Sequence, residues 1–224
     1  MSHPKLKLYV APGSCTRVPT IALEEIGVPF ETELVRLAQK QHKSPEFLAV
    51  NPKGKVPVLV IDDYALSENV AILTWLNRTY PEANLLPETK DDLASVQQIA
   101  DLAFFSGTLH PFVTRIAKPD IFVTDAQKAD MVREAAVSAL NPYMALINQR
   151  LSDQPWWYGE TWSICDGYFF WIWWRLHSAG YDGSQYTNLA SFEKRILQRP
   201  AVIRALEREE QNLRILAEER KRNR

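Results

Sequence analysis

The chain has 224 residues, of which 46% are hydrophobic and 24% charged, enough to bury one sizeable core or two modest ones. Its formal net charge is −1 at pH 7, so no field over the whole sequence favours binding to nucleic acid or to an anionic membrane. The most apolar stretch, 168–174, is far shorter than the roughly 20 residues that span a bilayer, and no export signal is recognised. Two cysteines, Cys15 and Cys165, make no disulfide framework, so we expect a cytoplasmic protein.

Strand and helix patterns alternate in the first third of the chain. Residues 5–10 alternate polar and apolar side chains, which predicts a strand, and Pro12-Gly13-Ser14 ends it. Ser44 followed by Pro45 predicts the start of a short helix. In chain order the predicted elements are strand 5–10, helix 18–26, strand 30–37, helix 45–50, strand 56–61, strand 65–66 and helix 70–80.

The pattern changes after Pro81, where a polar, proline-punctuated segment leads into helical periodicity. The predicted helices beyond it are 92–109, 125–151, 164–177, 189–198 and 202–220. We therefore predict an α/β domain at 1–84, a linker at 85–91 and an all-helical domain at 92–224.

Cys15 is the first candidate for chemistry, because it lies between the first predicted strand and the first predicted helix. A thiol at a helix N-terminus faces unpaired backbone N–H groups and the positive end of the helix dipole, which favour the thiolate. The alternative is a small, inert, buried side chain. The turn bounded by Gly13 and Thr16 favours the reactive interpretation, and we expect a thiolate at neutral pH.

Two further segments suit a peptide-like ligand. Val56-Pro57 lies where a loop enters a strand, and the spacing alone fits a trans proline on an edge strand and does not support a cis bond. Ser67-Glu68-Asn69 opens a predicted helix, so its polar groups either cap that helix or hold a carboxylate, with Glu68 able to receive an ammonium group. Together the two segments fit a zwitterionic ligand.

The second half of the chain contains a structural motif and an ambiguous histidine. Ser163 and Asp166 fit a capping box at the start of an apolar helix, in which Cys165 is expected to be inert core. His110 lies beside aromatic residues and is either a structural or a catalytic group. No metal site is expected, because the histidines lack ligand spacing. They are His3, His42, His110 and His177.

Four segments in register resemble the glutathione transferases, and the bacterial beta class in particular. They are YVAPGSCT at 9–16, NPKGKVPVL at 51–59, LSENVAI at 66–72 and SICD at 163–166. The resemblance covers nearly the whole chain in order and spacing. It implies a thioredoxin-like α/β domain followed by an all-α domain, glutathione as co-substrate, and a homodimer.

The same resemblance implies that Cys15 touches the glutathione sulfur and can form a mixed disulfide with it, and that His110 borders the active site. Ser14 and Thr16 are candidates to lower the pKa of the glutathione sulfur by donating hydrogen bonds. Tyr9 is a weaker candidate, because alternation along the strand leaves the face of its hydroxyl unassigned.

The peptide part of glutathione is matched by other positions. The resemblance implies that the Val56 backbone pairs with the cysteinyl part, that Pro57 is cis, and that Glu68 holds the γ-glutamyl group. Lys40 and, less closely matched, Lys53 reach the glycine end.

Three positions depart from the beta-class pattern. Asn69, which completes the γ-glutamyl pocket, stands where serine or glycine is commoner, although an amide can still donate. Ala103 and Gly107 stand where polar residues often contact glutathione. We therefore expect the helical domain to contribute weaker or different contacts.

The predicted function is glutathione transfer to hydrophobic electrophiles, thiol–disulfide exchange through Cys15, or both. The alternative is a non-catalytic carrier of glutathione or of a hydrophobic ligand with the same fold. The expected partners are a small electrophile or disulfide and a second copy of the chain, with neither nucleic acid nor membrane.

Overall fold

A computed structural model describes residues 4–222 and divides the chain into two packed units. The first combines Met1–Leu85 with Arg199–Arg224, and the second is Leu86–Gln198. This grouping differs from the predicted assignment of 92–224 to a single helical domain. The last helix packs with the first unit because it lies along the first helix and forms ion pairs with it.

The first unit contains a four-stranded sheet in the order β2-β1-β3-β4. Strand β2 is parallel to β1, whereas β3 is antiparallel to both β1 and β4. The strands are β1 Leu6–Val10, β2 Glu31–Leu34, β3 Val58–Ile61 and β4 Tyr64–Ser67. The second strand is shorter than the predicted 30–37. The Val35 N–H still donates to the Val10 carbonyl oxygen, but short 3₁₀ turns begin at Leu37.

Helices cover both faces of this sheet. Helices α1 (Arg17–Ile26) and α3 (Asn69–Thr79) pack against each other, and α2 (Pro45–Val50) places Phe47 in a separate cluster with Val58 and Tyr9. The Tyr9 ring meets Phe47 edge to face at 5.6 Å, which assigns Tyr9 to the α2 side of the sheet. Ser44 caps α2 as predicted, accepting from the Phe47 N–H.

The second unit is helical throughout its core. Its helices are α4 Asp92–Ala103, α5 His110–Ala117, α6 Ala129–Arg150, α7 Ile164–Ser178 and α8 Thr187–Ile196, and α9 Pro200–Arg222 returns to the first unit. A π-helical stretch, Phe104–Leu109, joins α4 to α5, so the predicted helix 92–109 does not end at its predicted boundary. Within residues 4–222, no helix combines the length and the apolar character needed to cross a membrane.

Helix α7 is buried on all sides and begins at the predicted capping box. Ser163 and Asp166 form both hydrogen bonds of the box, and the Asp166 carboxylate also accepts from the Trp157 N–H at 2.7 Å. Burial raises the pKa of Asp166 from 3.8 to about 6, although the N–H groups of Trp157 and Ser163 act in the opposite direction. Cys165 is fully buried in this helix, as predicted.

Candidate functional site

The candidate site begins at the turn between β1 and α1. Gly13 has a φ of 75°, a left-handed conformation that glycine adopts without steric cost. The Thr16 hydroxyl donates to the carbonyl oxygen of Ala11 at 3.1 Å and accepts from the Ala11 N–H at 3.2 Å. The Ser14 hydroxyl lies 2.7 Å from the same carbonyl oxygen. Both hydroxyls thus hold the turn together in this structure.

Cys15 lies in this turn, just before α1, with its side chain buried. Its Sγ lies 3.7 Å from the backbone carbonyl oxygen of Val56, to which the thiol donates. Burial raises the pKa of the Cys15 thiol from 9.0 to about 12, which outweighs the opposing effects of its own backbone N–H, Asn69 and Lys55. The prediction of a thiolate at neutral pH is therefore wrong for this structure: desolvation exceeds the effect of the helix end.

The loop that carries Val56 is held by a residue that the sequence analysis missed. Asn51 is buried, and its amide donates to the Lys55 carbonyl oxygen at 2.7 Å while accepting from the Lys53 N–H at 3.2 Å. The Val56–Pro57 peptide bond is cis, as the resemblance implies. The signal for Asn51 was its place at the start of the matched segment 51–59.

Glu68 adopts an unusual backbone conformation at the start of α3. Its φ of 76° lies in a region that residues other than glycine rarely occupy, and such strain is concentrated at functional sites. Its carboxylate is exposed and receives the Lys53 ammonium at 2.6 Å. A lysine ammonium thus occupies one of the two carboxylate oxygens that the predicted γ-glutamyl ammonium could use.

Asn69, the first residue of α3, is buried against the cysteine turn. Its amide nitrogen donates to the Cys15 carbonyl oxygen at 3.3 Å, and its side chain also lowers the pKa of the Cys15 thiol by hydrogen bonding. The structure therefore brings Cys15, Val56 and Asn69 together from three separate segments of the first unit.

The remaining predicted positions are divided between the two units. Lys40 is exposed between two 3₁₀ turns and has a φ of 58°. His110 belongs to the second unit, where it begins α5, and its Nδ1 lies 3.4 Å from the Tyr168 hydroxyl. Ala103 ends α4, and Gly107 lies within the π-helical stretch. His3 lies outside the described residues.

The comparisons with known proteins agree with this architecture. Residues 4–78 match the N-terminal domain of the glutathione S-transferases, and residues 130–208 match their C-terminal domain. Glutathione S-transferase GST-4.5 of Xanthomonas campestris is 31% identical over 205 residues, covering 91% of this chain and 98% of that protein. The chain belongs to the glutathione S-transferase family.

Solved structures of bacterial glutathione transferases are similar to this chain over most of its length. A glutathione S-transferase from Xylella fastidiosa is 26% identical with a TM-score of 0.83, and the comparison covers 91% of this chain and 98% of that one. A bacterial beta-class enzyme from Sphingomonas chungbukensis is 33% identical with a TM-score of 0.79 over the same shares. The predicted resemblance to bacterial glutathione transferases, and the predicted order of a thioredoxin-like and a helical domain, are confirmed.

Proposed function

We propose that this glutathione transferase binds glutathione on the first unit, with the tripeptide along the Val56 backbone and its sulfur beside Cys15. The observation that carries the proposal is that Cys15 and Asn69 meet next to the Val56 carbonyl oxygen. Related structures support it, because a Sulfitobacter homologue, 25% identical with a TM-score of 0.81, contains bound glutathione.

The protonated state of Cys15 favours conjugation as the main reaction. A thiol whose pKa is raised is a hydrogen-bond donor at neutral pH, and it can turn from the Val56 carbonyl oxygen to a bound glutathione thiolate. The glutathione sulfur then attacks an electrophilic carbon, a C–S bond forms, and the leaving group departs with the bonding electron pair. Ser14 and Thr16 support this reaction by fixing the turn and are candidates for further donors.

Thiol–disulfide exchange is the second reaction. Cys15 loses its proton and attacks a disulfide of glutathione, forming a Cys15–glutathione disulfide and releasing the other thiolate. A second glutathione thiolate attacks that disulfide, which yields oxidised glutathione and restores Cys15. This route requires the thiolate that burial disfavours, so we propose that it is slower at neutral pH.

Glu68 is the proposed partner of the γ-glutamyl ammonium group, beside Asn69 at the start of α3. The Lys53 ammonium contacts Oε1 of the Glu68 carboxylate, so the γ-glutamyl ammonium group would bind the other oxygen, Oε2, or displace Lys53. Lys40 is therefore the stronger candidate for the glycine carboxylate, and Lys53 can serve there only after changing partner. We propose that His110 borders the electrophile in the second unit.

Substitution of Cys15 by serine and by alanine tests the proposal. Serine keeps a donor, so conjugation of 1-chloro-2,4-dinitrobenzene should stay within a few-fold of the wild type, while alanine should lower it by about tenfold, the effect of one lost hydrogen bond. Both variants should lose exchange with a glutathione mixed disulfide. Equal conjugation by the two variants would exclude the donor role, and retention on immobilised glutathione without any turnover would indicate a carrier.

We also propose a cytoplasmic homodimer. Cys15 and Cys165 are both free thiols and form no disulfide bond, which suits a reducing compartment. Leu93 and Val96 lie about one turn apart on α4 and are both exposed, and we propose that the second copy covers the apolar surface they form. Light scattering of the full chain should give a dimer mass, and Leu93→Glu should shift it towards the monomer.

A further inference from the structure

The C-terminal helix reaches the turn that carries Cys15. Glu209 of α9 accepts from the Gly13 N–H at 3.1 Å through Oε1. The same carboxylate receives Arg17 through two nitrogens, Nη2 at 2.8 Å and Nε at 3.0 Å. Gly13 lies two residues before Cys15 and Arg17 two residues after it, so one carboxylate holds both ends of the segment that contains the thiol.

This contact is largely buried. The Arg17 side chain is 2% exposed and that of Glu209 is 13% exposed. The space beside the pair is a cavity of about 20 Å³ lined by residues that include Thr20, Asn212 and the pair itself. A cavity of that size holds about one water molecule. Breaking a buried, bidentate ion pair is costly because it leaves one charge uncompensated.

Other ion pairs fix α9 along α1 without touching the turn. Arg204 and Arg208 of α9 both pair with Glu24, whose side chain is buried, and Arg199, immediately before α9, pairs with Glu25. These contacts anchor the helix to the first unit. A substitution of Glu209 can therefore remove its contacts with the cysteine turn while the other ion pairs keep α9 attached to α1. The effect on the turn can thus be measured apart from any detachment of the helix.

We propose that Glu209 is a positioning residue for Cys15. By holding Gly13 and Arg17, it keeps the thiol buried with its Sγ directed at the Val56 carbonyl oxygen. Without that carboxylate, the turn opens locally and Cys15 loses its place beside the bound glutathione sulfur. The proposal rests on the proposed role of Cys15 only in this last consequence, since the burial of the thiol can be measured with no ligand present.

The test compares Glu209→Gln with Glu210→Gln in the full chain. Glu210 is the neighbouring residue on α9, and its exposed carboxylate pairs with Arg214 of the same helix. Each protein is treated with 4,4′-dithiodipyridine under native conditions, and peptide mapping measures labelling at Cys15 and Cys165 separately. We expect the reagent to label Cys15 about tenfold faster in Glu209→Gln than in Glu210→Gln, because the turn opens locally. Cys165 should stay protected in both variants.

Cys165 makes the outcome decisive, because it is fully buried in the second unit. Unchanged labelling of Cys15 in Glu209→Gln would overturn the proposal. Parallel acceleration at Cys15 and Cys165 would also overturn it, since the carboxylate would then only stabilise the fold. If Glu209→Gln gives no folded protein, Arg17→Lys, which keeps the charge but loses the two-nitrogen contact, takes its place with the same expected result.

Turnover provides the functional readout. Displacement of a reacting group by about 1 Å can cost on the order of 100-fold in rate, so exchange turnover in Glu209→Gln should fall by at least about tenfold. The KM for glutathione should change less, because Glu68 and Val56 lie outside the turn. A fall in turnover without faster labelling of Cys15 would contradict positioning. Faster labelling of Cys15 with normal turnover would support the role of Glu209 in holding the turn. It would contradict the proposed role of Cys15 in the exchange reaction.

Discussion

The Cys15 Sγ lies 3.7 Å from the backbone carbonyl oxygen of Val56, and this contact joins the cysteine turn to the loop before β3. A carbonyl oxygen accepts a hydrogen bond from a thiol but repels a thiolate. Together with burial, the contact therefore maintains Cys15 in its protonated form.

The raised pKa of Cys15 predicts a pH dependence of stability. The unfolded thiol ionises near 9.0 and the folded one near 12, so the native chain retains a proton that the unfolded chain has lost between those values. Stability should therefore decrease as pH rises from 9 towards 12. Urea unfolding at pH 8 and 10.5 should show a larger loss for the wild type than for Cys15→Ala, and equal losses would contradict the assignment.

Oxidised glutathione should add one glutathione to each chain, at Cys15, and dithiothreitol should reverse the addition. The rate should rise steeply between pH 7 and pH 10, because the thiolate is the attacking species and burial keeps its population low. Cys165 should stay unmodified, since burial also raises its pKa well above 9.0. Intact mass and peptide mapping measure both sites, and a rate that does not depend on pH would point to an ionised Cys15.

Glu68→Gln should weaken glutathione binding by about 1 to 3 kcal/mol, the range for a lost charge-assisted hydrogen bond. Its effect on unfolding should stay within about 1 kcal/mol, because Glu68 and its partner Lys53 are both exposed. Calorimetry at pH 7 with the folded variant measures the affinity.

Two lysine variants test which lysine binds the glycine carboxylate of glutathione. Lys40→Gln should weaken the binding of glutathione but not that of γ-glutamylcysteine, which lacks the glycine carboxylate. Lys53→Gln should weaken binding less, because Lys53 is paired with Glu68 in the free chain. The reverse order would make Lys53 the glycine-end residue.

Asp166→Asn should destabilise the chain at pH 7 by about 1 to 3 kcal/mol, because an amide cannot accept all the hydrogen bonds that reach the carboxylate. The pKa of Asp166 is raised from 3.8 to about 6 by burial, so its contribution to stability should fall as pH rises through that window. The variant should lack this dependence. Normal thermal stability with reduced glutathione affinity would place Asp166 in the ligand site instead.

Local patterns predicted most of the fold. The alternation at 5–10 and the Ser163–Asp166 box each depend on neighbours in sequence, and both have their expected structures. The burial of Cys15 could not be predicted in this way, because it depends on Val56 and Asn69 packing over the thiol. The helix end alone predicts a lowered pKa for Cys15, whereas the pKa is raised because the desolvation of the buried thiol is the larger effect.

The contact between Arg17 and Glu209 lies further beyond local patterns. The two residues are 192 positions apart, and each alone resembles an ordinary charge on an amphipathic helix. Only the return of α9 to the first unit shows that Arg17 is buried. For the same reason, the sequence placed the C-terminal helix with its neighbours in the chain and not with α1.

The π-helical stretch Phe104–Leu109 also affects how many residues separate α4 from α5. A π turn closes its hydrogen bond one residue later than an α turn, and each α-helical residue advances about 100° around the axis. Because the wider turn spreads one more residue over about the same rotation, deleting one residue here would allow a continuous α-helix and would keep His110 at about its present angle relative to α4. The stretch therefore accommodates one additional residue between α4 and α5 without moving His110 to another face of the helix.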